Sequence, residues 1–285
     1  MTTQRKDYMH EPLLRTFGRL GREPSSALTI LSWNIKQGGA KLDAIVEALR
    51  GPLKADLYAL QEVDRWTRRS GYRDLPEKIA WQLGVDYIFG TEFEELAQDG
   101  AFELPLHGQV ILSRIPILHT RILRFRHQPH NWGGWWKPRL PFFQPRRGGR
   151  MALAAELKWG ETKLVLYNGC LEGQASDQDR ALQVSEILDD LWSRYPPNTP
   201  VIIAGDFNAK ERRGSDVVRL LQAAGFSDVL STAPGWLSTS PKSEQRLDWI
   251  FARSLQSHDA RIHPLQISGH FPVTSTVSMV RNGEA

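Results

Sequence analysis

The chain has 285 residues, of which 41% are apolar and 24% are charged, and its single cysteine is Cys170. This composition excludes a wholly disordered chain, a disulfide-stabilised domain and a zinc site built from several cysteines. The formal net charge of +4 and the pI near 9.2 favour a polyanionic partner only weakly, because the distribution of charge matters more than its sum.

The first 26 residues are charged and interrupted by Pro and Gly, without the apolar core of a signal peptide. No later apolar run is long enough to span a bilayer. We therefore expect a cytoplasmic protein with a flexible leader at residues 1–26. Residues 27–282 are expected to form one domain with a basic aromatic insertion at about residues 119–149, and no obligate protein partner is predicted.

The first part of the domain predicts a strand, a helix and a second strand. The strand covers residues 28–34 (LTILSWN), and residues 41–52 carry apolar side chains at helical spacing before a Gly-Pro stop. The second strand covers residues 55–62 (ADLYALQE). A helix at residues 74–84 and a strand at residues 109–113 follow.

The chain then becomes strongly basic. Residues 104–155 contain nine Lys or Arg and no Asp or Glu, so the rest of the chain carries a net charge of −5. Within this segment, HNWGGWWKPRLPFFQPRRGGR predicts a long loop or irregular hairpin, because Gly and Pro exclude a regular helix. Loops of that length are usually functional or disordered. A strand is predicted at residues 151–157.

A second strand, helix and strand unit comes next. Residues 163–170 (KLVLYNGC) predict a strand, and the apolar pattern across residues 181–192 predicts a helix capped by Ser176 or Asp177. The strand that follows ends in VIIAGDFNA. A helix at residues 215–225 and strands at residues 246–252 and 271–277 complete the pattern, which is typical of an α/β domain with sheets covered by helices.

The predicted strands end in polar residues. Three of these strands end at Asn34, Glu62 and Cys170, and the fourth ends with Asp206 and Asn208. Since Asp206 and Asn208 are two residues apart, an extended chain presents their side chains on one side. In layered α/β folds the ends of strands converge to form sites, and we expect these ends to form one site.

Two further residues extend this candidate site. Asp248 lies in LDWIFA, and His270 follows a glycine in ISGHFPV. Oxygen donors without a cysteine cluster suit a hard cation such as Mg²⁺, and a carboxylate beside a histidine orients the ring and stabilises its charged form. The candidate set is Asn34, Glu62, Asp206, Asn208, Asp248 and His270.

Five short blocks carry a family resemblance: SWNI, LQEV, GDFN, LDWIF and SGH, in this order from Ser32 to His270. They resemble the signature blocks of the endonuclease/exonuclease/phosphatase superfamily, which includes DNase I and exonuclease III. The resemblance implies a four-layer α/β/β/α sandwich built from two similar halves. It also implies hydrolysis of a phosphoester by in-line attack of an activated water with Mg²⁺, for which Mn²⁺ could substitute.

The resemblance assigns roles to the candidate residues. Glu62 is similar to the main metal ligand, with Asn34 beside it, and Asp206 is similar to the residue that orients or deprotonates water. Asn208 is expected to hold a phosphate oxygen, and Asp248 to support His270, which stabilises the charge on the phosphorus centre. Trp33, Phe207 and Trp249 are expected to pack in the core or against the residues of the site rather than to take part in catalysis. Additional substrate contacts are expected from Asn168, Cys170, Arg150, Trp135 and Trp136.

Two positions depart from the family pattern. The usual Thr-His-Leu is replaced by Gly169-Cys170-Leu171, and the usual Ser-Asp-His by Ser268-Gly269-His270. The first change removes a phosphate contact and the second an oxygen ligand near the metal, and loss of one such donor can cost on the order of 10²-fold in rate. Asp64 or Glu172 could supply another carboxylate. Cys170 as a nucleophile remains an alternative to a buried spectator.

The substrate stays open. The basic aromatic segment suits nucleic acid, which is the first hypothesis, because lysine, arginine and stacking rings bind a polyanionic strand. The same composition suits a phospholipid headgroup at a membrane surface, as for a sphingomyelinase, and an inositol phosphate is a further alternative. A hypothesis of a different class is a catalytically decayed protein of this fold that binds phosphoesters.

Overall fold

The protein folds into two β-sheets flanked by helices. The computed structural model describes residues 7–17, 25–98, 100–130, 145–209, 215–231, 237–242 and 244–280. In these residues the strands are β1 (Leu13–Arg15), β2 (Ala27–Gln37), β3 (Leu57–Arg65), β4 (Asp86–Glu95), β5 (Leu106–Ser113), β6 (Ile117–Arg124), β7 (Arg146–Gly148), β8 (Met151–Trp159), β9 (Thr162–Cys170), β10 (Val201–Asp206), β11 (Ser227–Asp228), β12 (Asp248–Arg253), β13 (Leu255–Ile262) and β14 (Val273–Met279). The helices are α1 (Leu42–Arg50), α2 (Leu75–Leu83), α3 (Asp177–Arg194) and α4 (Asp216–Ala223).

The strands form two mixed sheets. The first has the order β1-β4-β5-β3-β2-β14-β13, with β7 also paired to β4, and the second has the order β11-β12-β10-β9-β8-β6. β2 and β3 are parallel and joined through α1, while β9 and β10 are parallel and joined through α3. The two strand, helix and strand units predicted from the sequence are therefore confirmed as similar halves.

Three apolar cores separate four layers. One core packs α1 and α2 against the first sheet, and another packs α3 and α4 against the second sheet. The third lies between the sheets and includes Ile30, Ile111, Leu166 and Ile202. VIIA in β10 contributes to two of these cores, which explains why it shows no polar alternation. The four-layer α/β/β/α sandwich is confirmed.

The ends of the helices follow their sequence signals. Ser176 caps α3 with a capping box in which its hydroxyl accepts from the Asp179 amide and the Asp179 carboxylate accepts from the Ser176 amide. The Asp74 carboxylate caps α2, and Gly84 ends that helix in the left-handed conformation. No helix within the described ranges is both long enough and apolar enough to cross a membrane.

Two predicted boundaries differ from the structure. Leu13–Arg15, inside the expected leader, form β1 on the edge of β4, where Leu13 is buried against the first core. The Phe17 amide also donates to Asp86 Oδ1 at 2.8 Å. Residues 117–124, partly inside the expected insertion, form the edge strand β6 because their backbone pairs with β8. The predicted Trp135 and Trp136 contacts fall in residues 131–144, outside the described part of the chain.

Candidate active site

The candidate residues come together at one edge of both sheets. Asn34 and Glu62 lie near the ends of β2 and β3 in the first sheet, and Asp206 ends β10 in the second. Asp248 begins β12, which runs antiparallel to β10, so Asp248 pairs directly with Asp206. His270 precedes β14 in the loop after β13. The two halves therefore contribute jointly to one cluster.

Local irregularities in the backbone turn these side chains toward the cluster. The register between β3 and β5 shifts between Leu60 and Val63, and Glu62 within that bulge has a φ of 53°. Asn208, just after β10, has a φ of 50°. Left-handed backbone at residues other than glycine is costly and concentrates at functional sites.

Gly205 allows the strand carrying Asp206 to lie close to its neighbour. Its φ is 150°, and a Cβ added there would meet the Gly169 carbonyl oxygen at 1.8 Å. β9 and β10 pair in register at these two glycines, one residue before Cys170 and Asp206. Close contact between the backbones of β9 and β10 therefore requires glycine at position 205.

Asn34 joins the carboxylates of the two halves. Its Nδ2 donates to Glu62 Oε1 and to Asp206 Oδ2, each at 2.9 Å, and its Oδ1 accepts from the Lys36 amide at 3.0 Å. Asn34 is fully buried. Because both amide hydrogens are used, Asn34 fixes the positions of two carboxylates, and a ligand role would have to use the remaining lone pair of Oδ1.

His270 is held between two carboxylates. Its Nδ1 lies 2.8 Å from Asp248 Oδ2, and its Nε2 lies 3.8 Å from Asp206 Oδ2. Burial disfavours the imidazolium, but the charges of Asp248, Asp206 and Glu62 outweigh it and raise the pKa of His270 to about 9. The ring is therefore charged near neutral pH.

The carboxylates differ in their electrostatic surroundings. Burial, together with the neighbouring Asp248 charge, raises the pKa of Asp206. Burial opposes ionisation of Glu62 as well, but His107, the hydrogen bond from Asn34 and nearby positive charges lower the pKa of Glu62 below its usual range. An ionised carboxylate thus lies beside one whose affinity for a proton is increased, which suits a ligand next to a base.

The hydrogen bonds that support the cluster were not predicted from the sequence. Trp33 Nε1 donates to Ser268 Oγ and to the His270 carbonyl, both at 3.0 Å, and Ser268 Oγ donates to the Asn34 carbonyl at 2.8 Å. Ser268 stands in the SGH block, so its position was visible although its contacts were not. Trp33, Phe207 and Trp249 are buried, as predicted.

Cys170 lies within the cluster but as a buried thiol. Its ligand atom lies within 4.8 Å of those of Glu62 and Asp206. Burial raises the pKa of Cys170 well above its ordinary value, although the Arg150 guanidinium lies 3.4 Å from Sγ. A thiol that resists ionisation is a poor nucleophile and a poor metal ligand. The structure therefore favours the spectator interpretation of Cys170.

The expected substrate contact from Asn168 does not agree with its position. Its Nδ2 donates to the Leu60 and Val110 carbonyls, both at 2.9 Å, and its Oδ1 accepts from Gln61 Nε2 at 2.8 Å. Asn168 is fully buried. These bonds join the second sheet to the first, because the Asn168 side chain from β9 reaches backbone carbonyls of β3 and β5. Asn168 is a structural bridge between the sheets.

The two carboxylates suggested as replacements are already bound by arginine. Asp64 lies 2.6 Å from Arg69 Nε, and Glu172 lies 3.3 Å from Arg150 Nε. Arg150 also pairs with Glu92 at 3.0 Å and is mostly buried. Arg150 is thus beside Cys170, as expected for a residue near the site, but its charge is balanced by two carboxylates. Recruitment of Asp64 or Glu172 is not supported.

Other arginines of the basic segment also form ion pairs or hydrogen bonds with other residues of the chain. Arg121 bonds Asp190, Arg146 bonds Glu95 and Arg147 bonds Glu94. Arg124 donates to the Thr91, Glu92 and Gly149 carbonyls. The excess of positive charge read from residues 104–155 is therefore largely offset by acidic residues elsewhere in the chain, and its described part is not a free basic surface.

A lysine occupies the space next to Gly269. A Cβ added at Gly269 would lie 2.6 Å from Lys36 Nζ and 2.9 Å from Lys36 Cδ. Lys36 has a φ of 46° and is followed by Gln37 with a φ of 70° and Gly38 with a φ of 67°. Where the family pattern has an aspartate side chain, this chain has a glycine and a neighbouring ammonium group.

The donor set still fits a hard cation. Ligand atoms of Glu62 and Asp206 lie within 4.8 Å of one another, and so do those of Asp206, Asp248 and His270. Asp248 Oδ1 is buried and has no hydrogen-bond partner in the described residues. Carboxylate oxygens at this spacing, one of them without a partner, are suitable ligands for Mg²⁺ or Mn²⁺.

Comparisons with known proteins agree with this architecture. The family model described as "Endonuclease/Exonuclease/phosphatase family" matches residues 31–269. The fold is similar to an endonuclease/exonuclease/phosphatase from Beutenbergia cavernae DSM 12333, with 19% identity, a TM-score of 0.67, and coverage of 89% of this chain and 72% of that chain. No curated protein matches the chain.

Two other similar structures have more specific names. One is D. rerio TDP2 complexed with single strand DNA product, with 20% identity, a TM-score of 0.60, and coverage of 90% of this chain and 100% of that chain. The other is the Bacteroides thetaiotaomicron VPI-5482 mannosyl-6-phosphatase Bt3783, with 16% identity, a TM-score of 0.61, and coverage of 88% and 100%. The fold, the two sheets and the family match together show that the chain belongs to the endonuclease/exonuclease/phosphatase family.

Proposed function

We propose that the protein is a metal-dependent phosphoester hydrolase that acts by in-line attack of an activated water. The observation that carries the proposal is the cluster at the edge of both sheets, where Asn34 holds Glu62 and Asp206 and where His270 lies between Asp206 and Asp248. Buried acids, an amide and a charged imidazole at one point form a set suited to general acid and base chemistry on a phosphoester.

Each residue has a role that follows from its surroundings. Asp206, with its raised pKa, takes the proton of the attacking water. His270, charged near neutral pH, stabilises negative charge on the phosphoryl oxygens or protonates the leaving group. Asp248 orients the ring through Nδ1. Asn208 Nδ2 already donates to the Leu171 carbonyl at 3.0 Å, and its second amide hydrogen is the one that would hold a phosphate oxygen.

Glu62, with the support of Asn34, is the residue that would hold the metal ion. Its lowered pKa keeps the carboxylate ionised, as a ligand to a hard cation requires. When bound, Mg²⁺ would act as a Lewis acid on the phosphoryl oxygens. The chain itself supplies the base, the charged imidazole and the amides that orient the phosphate.

Nucleic acid is the substrate we propose first, which makes the protein a phosphodiesterase of the nuclease type. Support comes from the fold shared with D. rerio TDP2, whose crystal structure contains a single-strand DNA product. The arginines paired inside the protein give less support than the composition suggested. The test compares nucleic acid with three other substrates. These are a mannose phosphate, as in the name of the Bacteroides protein of similar fold, a phospholipid headgroup and an inositol phosphate.

A phosphoester-binding protein without turnover is the second candidate. Two observations favour it: Gly269 lacks the expected carboxylate while Lys36 fills the space, and Cys170 stands where the family has a histidine. Five charged or amide residues of the cluster nevertheless retain their mutual contacts. A decayed site has no physical need for such contacts, and the hydrolase is therefore the leading proposal.

The test is hydrolysis of a panel with Mg²⁺ or Mn²⁺ varied. The panel contains single- and double-stranded DNA, RNA, sphingomyelin, an inositol polyphosphate, a mannose phosphate and bis-p-nitrophenyl phosphate. Turnover that depends on the metal and falls by about 10²-fold or more in Asp206→Asn is the expected result. If the wild-type protein binds these compounds without turnover, the hydrolase proposal is refuted and the phosphoester-binding protein takes its place.

A further inference from the structure

A basic pocket lies directly beside the candidate active site. Its volume is about 360 Å³, and its wall includes Lys36, Lys41, Arg69, Lys242, Ser268 and Gly269. It contains no carboxylate in its described lining. A pocket of this size can hold one small group, and the pocket does not include Glu62, Asp206 or His270.

Three lysines give the pocket its positive charge. Lys36, Lys41 and Lys242 are exposed and form no ion pair within the described ranges, whereas Arg69 is paired with Asp64 at 2.6 Å and with Glu95 at 2.7 Å. Three lysines that line one cavity whose described wall has no carboxylate give it a positive potential, which attracts an anion. The pocket therefore favours a negatively charged ligand.

The chain connects the pocket to the catalytic cluster at two points. Gly269 in the pocket wall is followed by His270, and Lys36 lies two residues after Asn34. Ser268 also belongs to the wall, and its Oγ donates to the Asn34 carbonyl and accepts from the His270 amide at 3.0 Å. The wall of the pocket is thus continuous along the chain with His270 and Asn34 of the candidate active site.

The replacement of aspartate by Gly269 is what opens this pocket to an anion. A carboxylate at that position would lie against Lys36 Nζ, since the added Cβ alone already lies 2.6 Å from that atom. It would neutralise the lysine and fill part of the pocket. With glycine, the Lys36 ammonium stays available, and the left-handed backbone at Lys36 and Gln37 carries the chain around the cavity.

We propose that the pocket formed by Lys36, Lys41 and Lys242 is an anion subsite that binds a second phosphate group of the substrate. The inference rests on the proposed function and narrows its substrate class to phosphoesters that carry another phosphate near the one that reacts. A neighbouring phosphate of a nucleic acid strand and the second phosphate of a sugar bisphosphate share this chemistry.

The test compares substrates that differ by one phosphate. The nucleotide arm uses dithymidine monophosphate with and without a 5′ phosphate, and the sugar arm uses fructose 1,6-bisphosphate against fructose 6-phosphate. Each is assayed with the wild-type protein, Lys36→Met and Lys242→Met. The control is Lys54→Met, which removes an exposed lysine beyond the other end of α1 and changes the net charge equally.

We expect kcat/KM to fall in the pocket variants. The fall should be about tenfold larger for the substrate with two phosphates than for its partner with one, which is the size expected for a lost charge-assisted hydrogen bond. The arm that shows this difference identifies the source of the second phosphate. Equal losses for both members of each pair, or the same effect in Lys54→Met, would overturn the subsite.

A binding measurement separates the subsite from the proposed function. Pyrophosphate binding to the metal-free full chain is measured by calorimetry for the wild type and for the Lys36→Met, Lys242→Met double variant. Absence of turnover on every substrate refutes the hydrolase, yet a loss of pyrophosphate affinity of about tenfold or more in the double variant still supports the subsite. The subsite is refuted if pyrophosphate binds the wild type and the double variant with equal affinity, or if it binds neither protein.

Discussion

The pair formed by His270 and Asp248 gives the sharpest quantitative prediction. Their Nδ1 and Oδ2 atoms lie 2.8 Å apart, with 9% of the His270 side chain and 0% of the Asp248 side chain exposed. The Asp248 charge is one of the causes that raise the pKa of His270 to about 9. Asp248→Asn removes that charge and keeps the volume of the side chain.

The size of the effect follows from the geometry. A buried opposite charge in direct contact shifts a pKa by about 1 to 3 units, and Asp206, with an oxygen 3.8 Å from Nε2, still raises the pKa in the variant. We expect the pKa of His270 to fall from about 9 to about 7. At pH 8 the protonated fraction then falls from roughly nine-tenths to roughly one-tenth.

The sign of the effect on stability also follows. Because the folded state raises the pKa of His270 above its ordinary value of 6.5, protonation stabilises the fold fully below about pH 6.5, and this stabilisation is lost as the pH rises through about 9. Asp248→Asn should therefore be most destabilising at low pH. The difference in stability between the two proteins should shrink as the pH rises.

The assay is an NMR titration of the imidazole signals in metal-free protein. The chain has 8 histidines, and the His270→Gln variant identifies the signal of His270. Asp179→Asn, which removes the carboxylate partner of His127, is the matched control and should leave the His270 titration unchanged. If His270 in Asp248→Asn still titrates near pH 9, the electrostatic account of this pair is refuted.

Three further results are expected. Cys170→Ser should retain turnover within about tenfold, because a thiol with a raised pKa is a poor nucleophile, and a complete loss measured with bis-p-nitrophenyl phosphate would contradict this. Gly205→Ala should greatly reduce the yield of folded protein, since its Cβ would meet the Gly169 carbonyl at 1.8 Å, and a circular dichroism melt like that of wild type would refute the close contact. Ser176→Ala should cost about 1 kcal/mol and lower Tm by about 2–4 °C, whereas the exposed Ser193→Ala should change Tm little; equal melting shifts would argue against the cap.

The sequence was most informative where local pattern and burial coincide. VIIA, followed by glycine and a carboxylate, predicts a strand buried on both faces that ends in a site, and β10 has this form. The four helices have strong periodicity or end signals, and each lies where it was predicted. The convergence of Glu62, Asp206 and His270 followed from topology, because strand ends meet at one edge of an α/β sandwich.

Contacts between distant charges could not be read in the same way. β4 (DYIFGTEFEE) ends in acidic residues and was not recognised as a strand, because its pattern lacks the apolar alternation of an ordinary strand. In the structure Glu92, Glu94 and Glu95 pair with Arg150, Arg147 and Arg146. The acidic strand and the basic segment thus neutralise one another, which no local pattern shows.

The details of the site depend on side-chain geometry. The SWNI block identifies Asn34 as a site residue. It does not show that the Asn34 amide donates to two carboxylates from different sheets. Asn168 is predicted to contact the substrate, but its side chain lies between the sheets and donates to the Leu60 and Val110 carbonyls. Lys36, two residues after Asn34, lies beside Gly269 only because residues 233 positions apart meet in the fold.

The central claim is that Glu62 holds a catalytic metal ion for phosphoester hydrolysis. Its most direct test is the rate of bis-p-nitrophenyl phosphate hydrolysis as Mn²⁺ is titrated into metal-free wild-type and Glu62→Gln proteins. We predict turnover that saturates with Mn²⁺ in the wild type, and in Glu62→Gln a metal requirement raised by about tenfold or more, because a ligating carboxylate is lost. Wild-type turnover that is independent of the metal, or identical metal curves for the two proteins, would contradict the claim.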